Sequence, residues 1–290
     1  MKKIKLLSLF AAAAMMFGCA TPETNYTAMV DPKIGSGGHG HVFVGANAPF
    51  GMTQVGPTSI TQEWDWCSGY HDSENSVIGF SHTHLSGTGC GDLFDVTLMP
   101  IMGEVVYSRG RLGDYSTGFW SEADRTQEVV EPGYYSVPLT RYDILAEMTA
   151  TERGALHRYT FPEGEDAAII LDLVHGGCFD RPEELYAEAV SDTRVVGRRH
   201  SWGWSNNQKV YFVIEFSKPF TEFEPIGEYG FYYRIHFDTK AGEQIGVKVA
   251  LSSTSPEGAE LNYNTEVANI EFDAARKLAM KKWNNELGKF

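Results

Sequence analysis

Histidine, tryptophan and glycine are concentrated in two stretches of the chain. These are Ile34–Pro57, IGSGGHGHVFVGANAPFGMTQVGP, and Trp64–Pro100, WDWCSGYHDSENSVIGFSHTHLSGTGCGDLFDVTLMP. One residue separates His39 from His41, and one separates His82 from His84, so each pair would project from one face of an extended backbone. The glycines permit close approach by a ligand, and they equally permit a tight turn. Both interpretations stay open on composition alone.

The sequence Trp64-Asp65-Trp66 has the composition of a sugar-binding site. A sugar ring presents apolar C–H faces beside hydroxyl groups, so its site needs an aromatic wall next to fixed polar groups. On an extended backbone the two indoles would lie on the same side. Tryptophans buried in a core would give the same pattern.

A zinc site is an alternative interpretation of the second stretch. Nitrogen and sulfur ligands for zinc are available from Cys67, His71, His82, His84 and Cys90. Their spacings match no established zinc pattern, and the neighbouring Ser and Thr residues favour a hydrogen-bonded network. We therefore assign no metal ligand to this chain. Whether Cys67 and Cys90 form a disulfide stays open.

The N-terminus has the pattern of a bacterial export signal. Lysines open the sequence, and Leu6–Phe17 is apolar but too short to span a bilayer. A small residue then precedes Cys19, which resembles the site at which lipoproteins are cleaved and acylated. We expect a lipoprotein signal peptide over 1–18, lipidation at Cys19 and a tether over 19–30, which would anchor the protein to the membrane of the bacterial cell envelope.

The charge of the chain argues against nucleic acid as a partner. Lys and Arg total 24 against 38 Asp and Glu, for a net charge of -14. Such a surface repels a phosphate backbone, whereas a neutral sugar is indifferent to it.

Short strands dominate the middle of the sequence. They are rich in β-branched and aromatic residues and are bounded by turn formers. The clearest are Val96–Met99, Tyr134–Val137, Ala168–Leu171, Val210–Ile214 and Tyr232–Phe237. Few helical patterns lie between them, so we predict a mainly β fold, a large antiparallel β-sandwich over 31–254.

The last segment, 255–290, is predicted to be helical. Ser255 can cap a helix that begins with Pro256. A second helix carries an apolar stripe at spacings of three and four: Phe272, Ala275, Ala279, Trp283 and Leu287. The stripe indicates either a terminal helix docked on the sandwich or a linker to another domain, and the pattern alone favours docking.

Four strings, in this order and spacing, carry a family resemblance: GGHGHVFVGANAPFGM, CSGYH, GFSHTHLSGTGCGD and DVTLMP. The chain resembles the N-terminal domain of glycoside hydrolase family 92. The tail is similar to the helices that connect this domain to the catalytic one, so the resemblance runs from about Asp31 to the end.

The resemblance implies part of a calcium-dependent, inverting exo-α-mannosidase of the exo-α-1,2 type. In the family a catalytic (α/α)6 barrel follows the sandwich and holds the acid and base that inversion requires, as well as most calcium ligands. The resemblance therefore places no catalytic residue in this chain, which we predict to be inactive alone. The helices of 255–290 would lead to the absent domain, leaving the face of Phe272, Ala279 and Trp283 partly uncovered.

The resemblance also implies substrate contacts, because the family's N-terminal domain contributes to the sugar pocket. A mannose-containing glycan would lie against a wall of the pocket and hydrogen-bond to it. The residues of this wall would be Gly45, Trp64, Trp66, His82 and His84. The alternative is a free-standing surface module that binds carbohydrate or is structural, without hydrolase activity.

Overall fold

A computed structural model describes residues 24–91, 93–177, 179–227 and 232–290. The predicted signal peptide, 1–18, and the lipidation site, Cys19, lie outside these ranges.

Two large antiparallel sheets form the framework of the described chain. The first has seven strands in the order β1 (Ala46–Asn47), β2 (Gln54–Thr58), β4 (Gly79–Ser81), β5 (Thr97–Met102), β11 (Gly164–Asp172), β16 (Tyr232–Thr239) and β15 (Glu222–Ile226). The second has eight, in the order β12 (Arg181–Ala189), β13 (Arg194–Trp202), β14 (Gln208–Phe216), β17 (Glu243–Ser252), β10 (Gly154–Phe161), β9 (Ile144–Ala150), β8 (Tyr134–Leu139) and β7 (Val129–Glu131). A small ribbon pairs β3 (Ser76–Val77) with β6 (Ser121–Glu122).

The main core lies between the two sheets. Side chains from one face of each strand fill it, as alternation along β14 shows: Phe212 and Ile214 join this core, whereas Val213 faces the other side of the sheet. Four of the five strands predicted from composition fall inside observed strands, and the fifth, Val96–Met99, begins one residue before β5. The predicted mainly β sandwich is confirmed.

Helices cover the outer face of the eight-stranded sheet. They are α1 (Pro256–Asn262), a π-helical turn (Tyr263–Val267) and α2 (Phe272–Leu287). Ser255 caps α1 as predicted, since its Oγ accepts a hydrogen bond of 3.0 Å from the amide of Gly258. The π-helical turn was not expected from the sequence.

The apolar stripe of α2 packs on this sheet. Phe272 and Ala279 are only 9% and 2% exposed, and Tyr134 meets Phe272 edge to face. Trp283 is half-buried and donates from Nε1 to the Asn47 carbonyl at 2.7 Å. A Cβ at Gly133 would lie 2.8 Å from that of Ala279, so the sheet approaches the helix closely. The expectation that Phe272 and Ala279 are partly uncovered is therefore wrong. Apolar residues on the outer face of the chain's own sheet pack against the stripe.

Part of the predicted tether is ordered against the same helix. Tyr26–Met29 forms a 3-10 turn, and Asn284 of α2 accepts from the Tyr26 amide at 2.7 Å and donates to the Thr24 carbonyl at 3.0 Å. In the described ranges, none of the helices has the length and apolar character needed to span a lipid bilayer.

A buried ionic cluster ties the loops at one end of the sandwich to the second sheet. Arg199 of β13 binds Asp95 at 2.7 Å and Asp180 at 3.0 Å, and all three side chains are almost fully buried. Burial alone would lower the pKa of Arg199, but the two carboxylates raise it. The second oxygen of Asp95 accepts from Thr83 at 2.7 Å and from Gln208 at 3.1 Å. The cluster therefore holds the loop between β4 and β5 in place.

Replacing Arg199 should destabilise the fold strongly. Arg199→Ala leaves two carboxylates buried without their partner, which should cost about 3–5 kcal/mol of unfolding free energy in urea titrations. Arg198→Ala is the matched control, because Arg198 pairs with the half-exposed Glu184 at the surface and should change stability by less than about 1 kcal/mol. Equal losses in the two variants would contradict the role given to the cluster.

Candidate functional site

The two histidine-rich stretches meet at Asp65. Its Oδ1 lies 2.7 Å from Nδ1 of His39 and 3.0 Å from Nε2 of His41. The bond to His39 lowers the pKa of Asp65 and raises that of His39. Trp64 packs edge-on against His41, with ring centroids 4.2 Å apart, and donates from Nε1 to the Gly89 carbonyl at 2.7 Å.

Trp64 and Trp66 line one groove. They belong to a 3-10 turn, not to the extended backbone on which their alternation would place both indoles on one side. Trp64 is 60% exposed, whereas Trp66 stacks on His71 at 4.2 Å. The groove has a volume of ≈ 250 Å³ and is lined by Thr61, Glu63, Trp64, Trp66, Cys67, Gly91 and Phe94. The surface of this groove is almost wholly apolar, so it can accept the apolar face of a sugar but offers few polar partners to its hydroxyl groups.

His82 lies in the interior, where hydrogen bonds fix its tautomer. Its Nδ1 is 2.5 Å from the Val96 carbonyl and must donate to it, so Nε2 accepts from Nε2 of His157 at 2.9 Å. His157 Nδ1 then accepts from the Tyr159 hydroxyl at 2.8 Å. Burial lowers the pKa of His82 to about 4, which keeps it neutral. Because His82 is fully buried, it does not reach a surface ligand in this arrangement.

His84 is packed between two aromatic rings. Its ring centroid lies 4.7 Å from that of Phe43 and 5.1 Å from that of Phe94. Nδ1 donates to the Gln54 carbonyl at 2.8 Å, and burial lowers the pKa to about 4. Nε2 is therefore an acceptor, and it is buried with no hydrogen-bond partner in the described part of the chain. Buried His84 therefore stabilises the loop between β4 and β5 by packing against Phe43 and Phe94.

Gly45 is required by the close approach of two backbones. A Cβ there would lie 2.4 Å from the Val55 carbonyl oxygen and 2.7 Å from Cα of Gly56. Any side chain would push β2 away, so glycine at this position has a packing reason independent of a ligand.

The comparison with protein-family models decides the family. The model described as "Glycosyl hydrolase family 92 N-terminal domain" matches residues 29–252. The chain belongs to glycosyl hydrolase family 92.

Solved family 92 enzymes share the fold. An α-mannosidase of this family from Bacteroides thetaiotaomicron, solved in complex with mannoimidazole, is 33% identical with a TM-score of 0.86, over 92% of this chain and 37% of its own. An inverting mannosidase of the family from the same organism is 25% identical with a TM-score of 0.77, over 93% and 37%. A protein of Arthroderma benhamiae described as an uncharacterized secreted glycosidase is 25% identical, over 89% of this chain and 37% of its own. The family 92 chain described here therefore spans a little over a third of the length of these relatives.

The residues considered as zinc ligands from the sequence do not form a metal-binding cluster in the described part of this family 92 domain. Nδ1 of His71 bonds to Ser73 at 2.8 Å and Nε2 to the Gly38 carbonyl at 3.2 Å. Cys67 is buried, Cys90 is half-buried, and the two are not joined to each other. Among the residues that the structure describes, the metal-ligating side chains that do converge are His39, His41 and Asp65.

Sequence reasoning missed four residues that contribute to the site or support it. Asp65 was noted only as the residue between two tryptophans, although an acid inside an aromatic pair was a signal. His157 and Tyr159 share one face of β10, and this alternation of polar groups in a buried strand could have pointed to a network. Arg199 gave no local signal, because its partner Asp95 is 104 residues away.

Stability should fall as the pH drops from about 6.5 to about 4. The unfolded chain binds protons at histidines with ordinary pKa values, whereas folded His82 and His84 stay neutral down to about 4. Each should therefore cost about 3 kcal/mol of stability by pH 4. Urea titrations across this pH range measure the loss, and His84→Phe, which keeps a ring between Phe43 and Phe94, should reduce it. Histidine NMR signals of His82 and His84 that titrate near pH 6.5 would disprove the assignment.

Proposed function

We propose that this domain forms one wall of the mannose pocket of a family 92 α-mannosidase of the exo-α-1,2 type. The observation that carries the proposal is the groove beside Trp64, where a largely exposed indole is held in a fixed orientation by the Gly89 carbonyl. The mannoimidazole complex of the Bacteroides thetaiotaomicron α-mannosidase supports a mannose-like ligand in an enzyme of this fold. A mannose-containing glycan is then the substrate.

Within this wall the predicted residues divide into two roles. Trp64 and Trp66 line the groove and would contact the sugar. His82 and His84 are buried behind it, and Gly45 allows two backbones to approach. These three would position the wall without touching the substrate.

The chemistry itself would belong to the rest of the enzyme. Inversion needs one carboxyl group to protonate the leaving oxygen and another, roughly 6.5–9.5 Å away, to activate water. We assign neither to this chain and place both in the (α/α)6 domain of the family.

The cluster of His39, His41 and Asp65 does not fit calcium. Calcium prefers six to eight oxygen ligands, whereas this cluster offers two imidazole nitrogens and a carboxylate. We place most ligands of the calcium of the proposed enzyme, like its catalytic carboxylates, outside this chain.

A location in the bacterial cell envelope, with a lipid anchor at Cys19, is part of the proposal. The relative from Arthroderma benhamiae is described as secreted, which supports export. Labelling with a palmitate analogue, with Cys19→Ser as the control, tests the anchor.

Trp64 should dominate sugar contact by this chain. Saturation-transfer NMR should detect weak binding of methyl α-mannoside, and Trp64→Ala should weaken it about fivefold, since an aromatic contact contributes about 1 kcal/mol. Tyr186→Ala is the control, because Tyr186 is an exposed aromatic residue on β12. Transfer that is absent, or that persists unchanged in Trp64→Ala, would count against a sugar wall.

The polypeptide of residues 1–290 should not hydrolyse an aryl α-mannoside in the presence of calcium. Positioned acid and base groups contribute about 10²–10⁴-fold each, and we assign both to another domain. Release of the aryl group can be followed by absorbance. Appreciable turnover would overturn this assignment, while binding without turnover is also what a free-standing binding module would show.

A further inference from the structure

We propose that His39, His41 and Asp65 form a binding site for a divalent transition-metal ion such as Zn²⁺. One ligand atom from each, two imidazole nitrogens and a carboxylate oxygen, lie within 4.8 Å of one another. This metal site is separate from the groove proposed above for sugar contact, although Trp64 borders both.

The distances are close to those of a zinc site. Zinc binds imidazole nitrogen at about 2.0–2.1 Å and carboxylate oxygen at about 2.0–2.2 Å, so tetrahedral ligand atoms stand about 3.3 Å apart. Here Asp65 Oδ1 lies 2.7 Å from one nitrogen and 3.0 Å from the other. These two distances need to lengthen by only a few tenths of an ångström to admit an ion, and the ligand atoms of His39 and His41 lie within 4.8 Å of each other. The His39 side chain is 80% exposed and free to make this adjustment.

The other two ligands are fixed by their surroundings. His41 is 7% exposed, sits in the left-handed region with φ 56°, and accepts from the Gly87 amide at its carbonyl at 2.6 Å. The left-handed backbone is strained for a non-glycine residue, and such strain clusters at functional sites. Asp65 is held in the 3-10 turn between Trp64 and Trp66. Rigid ligands of this kind are preorganised for an ion.

The donor set determines which ions fit. Imidazole suits zinc, copper and nickel, whereas calcium and magnesium prefer oxygen. Two histidines and one carboxylate leave at least one coordination position open, which the exposed side of His39 makes accessible to water. The ion would join the loop of His39 and His41 to the turn of Asp65 and so hold Trp64 at the rim of the groove.

Zinc titration of the untagged, chelator-treated chain tests the site. Calorimetry with ZnCl₂ in excess calcium should show about one ion per chain, and His39→Gln and Asp65→Asn should each weaken binding by more than about tenfold. His236→Gln is the matched control, because His236 also pairs with a carboxylate, Glu224 at 3.3 Å, and should leave affinity unchanged. Equal zinc binding by His39→Gln and the parent, or competition by calcium, would overturn the proposal.

A second readout does not depend on calorimetry. Zinc should raise the melting temperature of the parent chain and of His236→Gln, but not of His39→Gln, since only a ligand bound to the folded state stabilises it. His39 is too exposed for its replacement to unfold the domain, which circular dichroism can verify. An equal rise in all three proteins, or no rise in the parent, would mean that His39, Asp65 and His41 form only a hydrogen-bonded cluster.

Discussion

The loops of this domain depend on a pair of carboxylates that share one buried guanidinium. Burial of Asp95 and Asp180 depends on Arg199, and burial of Arg199 depends on them, because an unpaired buried charge costs on the order of several kcal/mol. The cluster joins the loop between β4 and β5 to β13. The groove includes Phe94, next to Asp95 in the chain, and Gly91, whose carbonyl accepts from the Phe179 amide next to Asp180. The position of the groove therefore follows from the ion cluster.

The same His-x-His spacing serves two different purposes in this chain. His82 and His84 are buried, donate from Nδ1 to backbone carbonyls and are kept neutral by burial. His39 and His41 instead converge on one oxygen of Asp65, with His39 in solvent. Environment decides the role: buried His82 joins a polar network with His157 and Tyr159, whereas exposed His39 lies beside a carboxylate that raises its pKa.

Local patterns in the sequence predicted the architecture well. Runs of β-branched and aromatic residues indicated strands such as β14, and Ser255-Pro256 indicated the start of α1, because both signals depend on neighbours in the chain. The Trp64–Trp66 segment differs, because its amides bond back within a turn, as that of Cys67 does to the Trp64 carbonyl at 3.1 Å. The backbone is therefore not extended there, although both indoles line one groove. The family resemblance identified the domain but not the burial of His82, which depends on His157, 75 residues away.

The packing of α2 restricts how this domain can meet a neighbour. An apolar helical stripe at the end of a domain suggests a surface waiting for a partner, yet here Phe272, Ala275 and Ala279 are buried on the chain's own sheet. The stripe of α2 is thus largely occupied within the domain. Exposed aromatic residues are found at the loops, where Phe179 is 56% and Trp64 60% exposed and the backbone of Gly91 links their segments through the groove. We expect the proposed sugar pocket to be completed at this loop end, because the groove lies there.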